Sequence, residues 1–152
     1  IPDELLNKVK NAALFNQGFA TVEYLAASYL DMNWHTITEP IEYDAAEFET
    51  SSMKKIGLID EIIPRYRSTY FNHIFSGGYS AGYYSYIWSE VLDADAFNAF
   101  VESGNVLNKD LAAKYRKYIL SAGGSDDSMK LYELFRGSEP DINALIKKRG
   151  LN

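Results

Sequence analysis

The residues from His73 to Val91, HIFSGGYSAGYYSYIWSEV, carry the side chains of this chain that are best suited to chemistry. The segment contains one of the two histidines, together with a glycine pair and several tyrosines. Phenol hydroxyls donate hydrogen bonds to a carbonyl or to a developing oxyanion, and phenol rings stack on an extended peptide. Glycines next to such groups let the backbone approach a ligand closely or adopt a positive φ. The pattern therefore indicates a site that binds a peptide or stabilises an oxyanion.

Helical spacing predicts how these side chains are arranged. With about 100° of rotation per residue, Tyr79, Tyr83, Tyr86 and Glu90 fall on one side of a helix. A second, apolar side of that helix comprises Tyr84, Ile87, Trp88 and Val91. A row of tyrosines at this spacing is also typical of the edge of a hydrophobic core. The spacing alone therefore leaves a purely structural role open.

Arg65 and Arg67 are expected to lie at the surface, with an anion-binding role left open because the pair precedes the tyrosine motif. The histidines and carboxylates offer no second site. His35 and His73 are far apart in the chain and neither belongs to an HExxH zinc motif, whereas a catalytic zinc needs three protein ligands. There is no cysteine. The carboxylates of Asp93, Asp95 and Glu102 are expected to be solvated or to cap helices. The sequence thus predicts no metal ligand in this chain.

Length and composition favour a single globular domain over residues 1–152. A net charge of -6 without a basic patch argues against a nucleic-acid partner. No apolar run approaches the ~18 residues of a membrane span. We expect a cytoplasmic location. A periplasmic or exported one stays open because the chain starts at Ile1, where a targeting segment would have been lost.

Helical periodicity dominates and predicts an all-α, multi-helix fold. Asp44 and Asn108 are candidate N-caps, and Gly18 is a candidate helix end or kink. The segment 59–78 has no helical pattern and leads into the tyrosine motif. The helices are predicted over residues 2–18, 19–37, 44–59, about 80–101, 109–124, 125–137 and 138–150.

The motif and its flanks resemble a known family. HIFSGGYSAGYYSYIWSEVLDADAF resembles the Gly/Tyr loop and helix of the thimet oligopeptidase and peptidyl-dipeptidase (dipeptidyl carboxypeptidase) family of zinc metallopeptidases. NAALFNQGFATVEYLAASYLDMNWH resembles the segment that follows the zinc site in that family, and YILSAGGSDDSMKLYELFRGSEPDINALIKKRGL resembles its C-terminal tail. The likeness covers nearly the whole chain in order, and the bacterial peptidyl-dipeptidase branch fits best.

The resemblance implies a helical enzyme whose two halves close around a deep channel. An HExxH helix and a later glutamate hold one zinc in that family, and the glutamate of the HExxH motif activates water. The Gly/Tyr loop lies across the channel from the metal. By match to the motif, Tyr86 corresponds to the tyrosine that donates a hydrogen bond to the tetrahedral intermediate.

Other residues of the motif correspond to substrate-binding groups. His73 and Tyr79 match residues that hydrogen-bond the substrate backbone. Tyr83 and the turn at Gly77 and Gly78 match parts of the same flexible, substrate-contacting loop. The resemblance therefore implies that short peptides are the substrates.

The family's HExxH motif and third ligand lie upstream of the segment FNQGF, so this sequence lacks them. We therefore expect a C-terminal fragment of a longer peptidase, inactive alone, whose zinc ligands and general base belong to the missing N-terminal part. Surfaces that would meet that part are expected to be apolar and to favour self-association. Removal of C-terminal dipeptides is the expected activity, with internal cleavage left open. The alternatives are a stand-alone helical module that binds peptides without cutting them and a purely structural helical domain.

Overall fold

The computed structural model describes residues 1–40, 42 and 44–151, and these residues contain helices but no strand. The prediction of an all-α fold is confirmed. None of the described helices has the length and apolar composition to cross a membrane. The helices are α1 Asp3–Ala13, α2 Gln17–His35, α3 Ala45–Lys55, α4 Asn72–Phe75, α5 Ser85–Glu102, α6 Lys109–Tyr115, α7 Ser128–Arg136 and α8 Asn143–Lys148, with a 3-10 turn at Ser68–Tyr70 and a π-helix at Arg116–Leu120.

The chain divides into two compact units, residues 1–86 and 87–152. A single domain over the whole chain stays a prediction. The first unit contains α1 to α4 and the tyrosine motif up to Tyr86. Its core consists of Ala26, Ala27, Leu30, Phe48, Met53, Phe71, Ile74 and Tyr83.

Two helix starts follow the predicted caps, whereas the predicted break at Gly18 lies elsewhere and the short helix α4 lies inside the segment 59–78, for which no helix was predicted. The carboxylate of Asp44 accepts the N–H groups of Ala46 and Glu47, and the side chain of Asn108 caps α6 in the same way. The break between α1 and α2, however, lies at Asn16, whose φ of 58° interrupts the helix. Asparagine tolerates this left-handed conformation, so Gly18 is free to lie inside α2.

The buried stripe of α2 is rotated relative to the predicted apolar face. Helical spacing predicts one continuous apolar face made of Phe19, Val22, Leu25, Ala26, Tyr29 and Leu30, but Phe19, Val22 and Tyr29 are exposed. The buried positions on this helix are Ala26, Ala27, Ser28, Leu30 and Asp31. The stripe thus passes through a buried carboxylate, which a pattern of apolar residues cannot reveal.

The start of α5 was predicted near Ser80, but the helix begins at Ser85. Ala81 has a φ of 53°, which a right-handed helix cannot contain. The N–H groups of Ala81 and Tyr83 both donate hydrogen bonds to the carboxylate of Asp31. These bonds keep residues 81–83 from joining the helix. The predicted helical faces therefore do not apply to residues 79–84, and both Tyr84 and Trp88 are exposed although they were assigned to a packed apolar face.

The second unit has a buried carboxylate of its own, at Asp95 in α5. The hydroxyl of Tyr132 donates to Asp95 Oδ2 at 2.7 Å, and Arg136 donates to both carboxylate oxygens at 3.1 and 3.2 Å. Arg136 also pairs with Glu102. The expectation that Asp95 is solvated or capping was wrong, because three hydrogen bonds compensate for its complete removal from water.

Replacing Asp95 by asparagine should destabilise the second unit strongly. Asp95→Asn leaves the largely buried Arg136 without its main counter-charge, so the free energy of unfolding should fall by up to about 3–5 kcal/mol. Asp93→Asn is the matched control. Asp93 lies on the same helix but is exposed, and its ion pair with Lys148 should be worth about 0–1 kcal/mol. Urea denaturation measures both variants, and equal losses would contradict the assignment of Asp95 as a stabilising anchor.

Candidate functional site

The site is built on the Gly/Tyr loop, which we define as residues 73–86. The loop leaves α4 through a tight turn in which the N–H of Gly77 donates to the carbonyl of Asn72 at 2.9 Å. The N–H of Tyr79 then donates a hydrogen bond to the carbonyl of His73, at 3.0 Å. A Cβ atom on Gly77 would lie 2.8 Å from His73 Cα, and Gly78 has a φ of 83°. The turn therefore requires both glycines, for two different reasons.

The carboxylate of Asp31 fixes the second half of the loop. Its Oδ1 accepts the N–H of Ala81 and its Oδ2 accepts the N–H of Tyr83, each at 2.9 Å. His35 lies one turn further along α2, with Nδ1 2.8 Å from Asp31 Oδ1 and 2.9 Å from the Asp31 carbonyl oxygen. Both neighbours of Nδ1 are acceptors, so this nitrogen carries the proton. Sequence reasoning missed this anchor, although an Asp–His pair at i, i+4 inside an apolar stripe is a signal that could have indicated it.

Tyr79 and Tyr86 form a pair of stacked phenols. Their ring centroids are 5.2 Å apart with an interplanar angle of 25°, and Tyr86 is 41% exposed. A side-chain hydrogen bond with Tyr79, together with some desolvation, raises the pKa of Tyr86 above its ordinary value. A phenol is protonated near neutral pH even at its ordinary pKa of about 10, and the shift of Tyr86 is away from deprotonation, so Tyr86 can act as a hydrogen-bond donor.

Tyr83 lies beneath this pair and not beside it. The side chain is only 3% exposed, stacks on Tyr24 at 5.2 Å and meets the ring of Tyr86 edge-on at 5.4 Å. The hydroxyl of Tyr24 donates to the carbonyl of Tyr83 at 2.6 Å. Burial raises the pKa of Tyr83 to about 12. The structure thus brings the three predicted tyrosines together, but it exposes only Tyr79 and Tyr86.

His73 belongs to the same aromatic cluster. Its ring centroid is 4.7 Å from that of Tyr66, 5.9 Å from that of Tyr83 and 6.3 Å from that of Tyr79. Its Nδ1 atom is buried and has no hydrogen-bond partner within the described part of the chain. An unsatisfied buried nitrogen costs about 1–3 kcal/mol, so this atom requires a partner that the described residues do not supply.

The described residues do not fit a resident metal ion. Nowhere in residues 1–40, 42 and 44–151 do three or more His, Asp or Glu side chains form a group that could hold a metal. Nδ1 of His35 is already bonded to Asp31, and His73 is surrounded by aromatic rings. What the site can supply is a pair of exposed, neutral phenols on a backbone held by a buried carboxylate.

Gly77→Ala should destabilise the first unit. The added Cβ would meet His73 Cα at 2.8 Å and the His73 carbonyl oxygen at 2.9 Å, and neither backbone atom can yield without moving α4. Overpacking of this kind costs about 1–3 kcal/mol. Gly18→Ala is the control, because the space around Gly18 is open and alanine is preferred inside a helix by about 0.5–1 kcal/mol. Thermal unfolding should show a lower unfolding temperature than the wild type for Gly77→Ala and an equal or higher one for Gly18→Ala. A Gly77→Ala protein as stable as the wild type would refute the close contact.

Alkaline pH should weaken the fold through Tyr83. The folded-state pKa of about 12 lies above the ordinary 10.0, so the unfolded state releases this proton first as the pH rises. The contribution of Tyr83 to stability is intact below pH ~10 and is lost as the pH rises towards ~12. Urea denaturation across this window should show a shallower decline for Tyr83→Phe than for the wild type and for Tyr84→Phe. Parallel declines in all three proteins would contradict the burial of the Tyr83 phenol.

The sequence of this chain matches a known protein family. The profile of Peptidase family M3 matches residues 1–151. The chain is 44% identical over 154 residues to the dipeptidyl carboxypeptidase of Escherichia coli (strain K12), which covers 100% of this chain and 22% of that protein. It is 35% identical to oligopeptidase A of the same organism, and 34% identical to a probable cytosolic oligopeptidase A of Arabidopsis thaliana, covering in each case 99% of this chain and 22% of the relative.

The chain therefore spans about a fifth of the length of the curated relatives it matches. The match extends over almost every residue, including the Gly/Tyr loop, the helix α2 that carries Asp31 and the helix α4 that precedes the loop. It confirms the resemblance inferred from the tyrosine motif. The chain belongs to Peptidase family M3, a family of metallopeptidases.

Proposed function

We propose that this chain is the substrate-binding part of a peptidase that hydrolyses short peptides and releases dipeptides from their C-termini. Membership of family M3 supports peptide hydrolysis. Identity is 44% with a dipeptidyl carboxypeptidase and 35% with an oligopeptidase A, which supports dipeptide release over internal cleavage.

The observation that carries the proposal is the exposed phenol pair of Tyr79 and Tyr86. Hydrolysis of a peptide bond passes through a tetrahedral intermediate whose oxygen carries negative charge. A neutral phenol that is already oriented donates to this oxygen more strongly than to the ground-state carbonyl, and thereby lowers the barrier. A tyrosine phenol is protonated near neutral pH even at its ordinary pKa of about 10, and stacking on Tyr79 restricts the ring of Tyr86. In this proposal Tyr86 is the catalytic residue.

The neighbouring groups would bind and orient the peptide. Tyr79 is exposed beside Tyr86, and the Gly77–Gly78 turn brings backbone to the surface, where a peptide can approach it. His73 has a nitrogen without a partner that a small movement of the loop could offer to a substrate carbonyl. Tyr83 would not contact the peptide itself but would support the rings of Tyr86 and His73, against which it packs.

The metal of the enzyme has to be held elsewhere. The resemblance implies zinc, but the described residues of this chain offer no set of ligands for it. In our proposal the zinc ligands and the general base lie in another part of the enzyme. This chain then contributes peptide binding, orientation and one hydrogen bond to the developing oxyanion.

Tyr86→Phe in the intact enzyme should lower kcat far more than it raises KM. Loss of one oxyanion donor typically costs ~10²–10³ in turnover, because the interaction is made mainly in the transition state. The fold should survive, since Tyr86 is 41% exposed and phenylalanine preserves the stacked ring. Steady-state kinetics on a fluorogenic peptide that releases a C-terminal dipeptide measure both constants.

Tyr84→Phe is the matched control for this experiment. Tyr84 is a neighbouring, 51% exposed tyrosine that lies outside the stacked pair, so its kcat should stay within about twofold of the wild type. An unchanged kcat for Tyr86→Phe would remove Tyr86 from the catalytic role.

A further inference from the structure

We infer that Asp31 is a positioning residue for the Tyr79–Tyr86 pair, acting through the backbone of the Gly/Tyr loop. The inference rests on the proposed function, because the phenols are what it positions. Asp31 lies in α2, 50 residues before Ala81, and is fully buried. It is therefore kept from substrate and can influence the reaction only through other groups.

The bonding of Asp31 is that of a structural anion aimed at one backbone segment. Moving a carboxylate out of water costs several kcal/mol unless hydrogen bonds compensate for it. Here the compensation comes from the N–H groups of Ala81 and Tyr83, each 2.9 Å away, and from Nδ1 of His35 at 2.8 Å. Two of the three donors thus belong to the short segment that joins Tyr79 to α5.

The conformation of this segment is one that it would not adopt alone. Ala81 has a φ of 53°, and a residue with a Cβ atom pays roughly 1–2 kcal/mol for the left-handed region. The sequence from Ser80 onwards has a helical pattern, so the competing conformation is an N-terminal extension of α5. The two charge-assisted hydrogen bonds to Asp31 favour the observed turn over that extension.

This choice of conformation sets the distance between the two phenols. In a continuous helix, residues seven positions apart are separated by roughly 10 Å along the axis, at 1.5 Å per residue. The ring centroids of Tyr79 and Tyr86 are instead 5.2 Å apart, with an interplanar angle of 25°. The Asp31 anchor is thus what allows the stacked pair to form.

His35 completes the arrangement from the outer side of the carboxylate. Its imidazole is partly exposed, and Nδ1 bridges Asp31 Oδ1 and the Asp31 carbonyl oxygen. The ring also lies 6.0 Å from that of Phe75, at the end of α4. His35 therefore orients the carboxylate and is expected to have a smaller effect than Asp31 itself.

A double-mutant cycle in the intact enzyme tests the inference. Four proteins are compared: wild type, Asp31→Asn, Tyr86→Phe and the double variant. Asparagine preserves the shape of the side chain but presents an amide N–H to one of the two backbone donors. Asp31→Asn should lower kcat roughly tenfold or more, a share of the ~10²–10³ that one oxyanion donor supplies. In the Tyr86→Phe background the same change should lower kcat by less than about twofold, because the group that it positions is already gone.

Glu49→Gln is the matched control for a general loss of stability. Glu49 is the other buried carboxylate among the described residues of the first unit, and its Oε2 accepts the N–H of Ser68 at 2.7 Å, outside the Gly/Tyr loop. Its effect on kcat should be small and equal in both backgrounds. All assays are made well below the unfolding temperature of each variant, which circular dichroism determines. If Asp31→Asn does not fold, His35→Phe takes its place, with a smaller loss of kcat that should again vanish in the Tyr86→Phe background.

The outcomes separate this inference from the proposed function. A normal kcat for Asp31→Asn, or equal fold-losses with and without the Tyr86 hydroxyl, would overturn the positioning role while leaving the proposed function standing. An unchanged kcat for Tyr86→Phe would overturn both. A loss of kcat in Asp31→Asn that largely disappears in the Tyr86→Phe background supports the inference.

Discussion

The buried carboxylate of Asp31 is the constraint from which the rest of the site follows. It must be compensated by hydrogen bonds, and the donors that reach it are the N–H groups of Ala81 and Tyr83. Because of these two bonds, α5 begins only at Ser85 and Ala81 lies in the left-handed region. The chain then turns so that the ring of Tyr79 stacks on that of Tyr86. The exposed surface of the site is thus determined by a charge that substrate cannot reach.

Both units use the same physical device for different purposes. In the second unit the burial of the Asp95 carboxylate is compensated by hydrogen bonds from the side chains of Tyr132 and Arg136. These bonds join α5 to α7. In the first unit Asp31 is compensated largely by backbone, which fixes a loop and not a pair of helices. Hydrogen bonds to main-chain N–H groups define a conformation more closely than hydrogen bonds to long side chains, because fewer torsions separate the donor from the chain. That precision suits a segment that carries proposed catalytic groups.

The sequence predicts the helices and the identity of the tyrosines far better than their environments. Local signals at Asp44 and Asn108 mark helix starts correctly because capping involves only neighbouring residues. The start of α5 and the burial of Tyr83 could not be predicted in the same way. Both depend on a partner some fifty residues away in α2, and helical periodicity contains no information about such a contact.

In the proposed mechanism, the Tyr86 phenol interacts with the tetrahedral state more strongly than with bound substrate. The direct measurement is the affinity of the intact enzyme for a phosphinic peptide, whose tetrahedral group mimics that state, beside the affinity for a non-cleaved peptide of the same sequence. Tyr86→Phe should weaken binding of the phosphinic peptide by roughly 10² and leave binding of the other peptide almost unchanged. Equal losses of affinity for the two ligands, or no loss for either, would exclude selective stabilisation of the tetrahedral state by Tyr86.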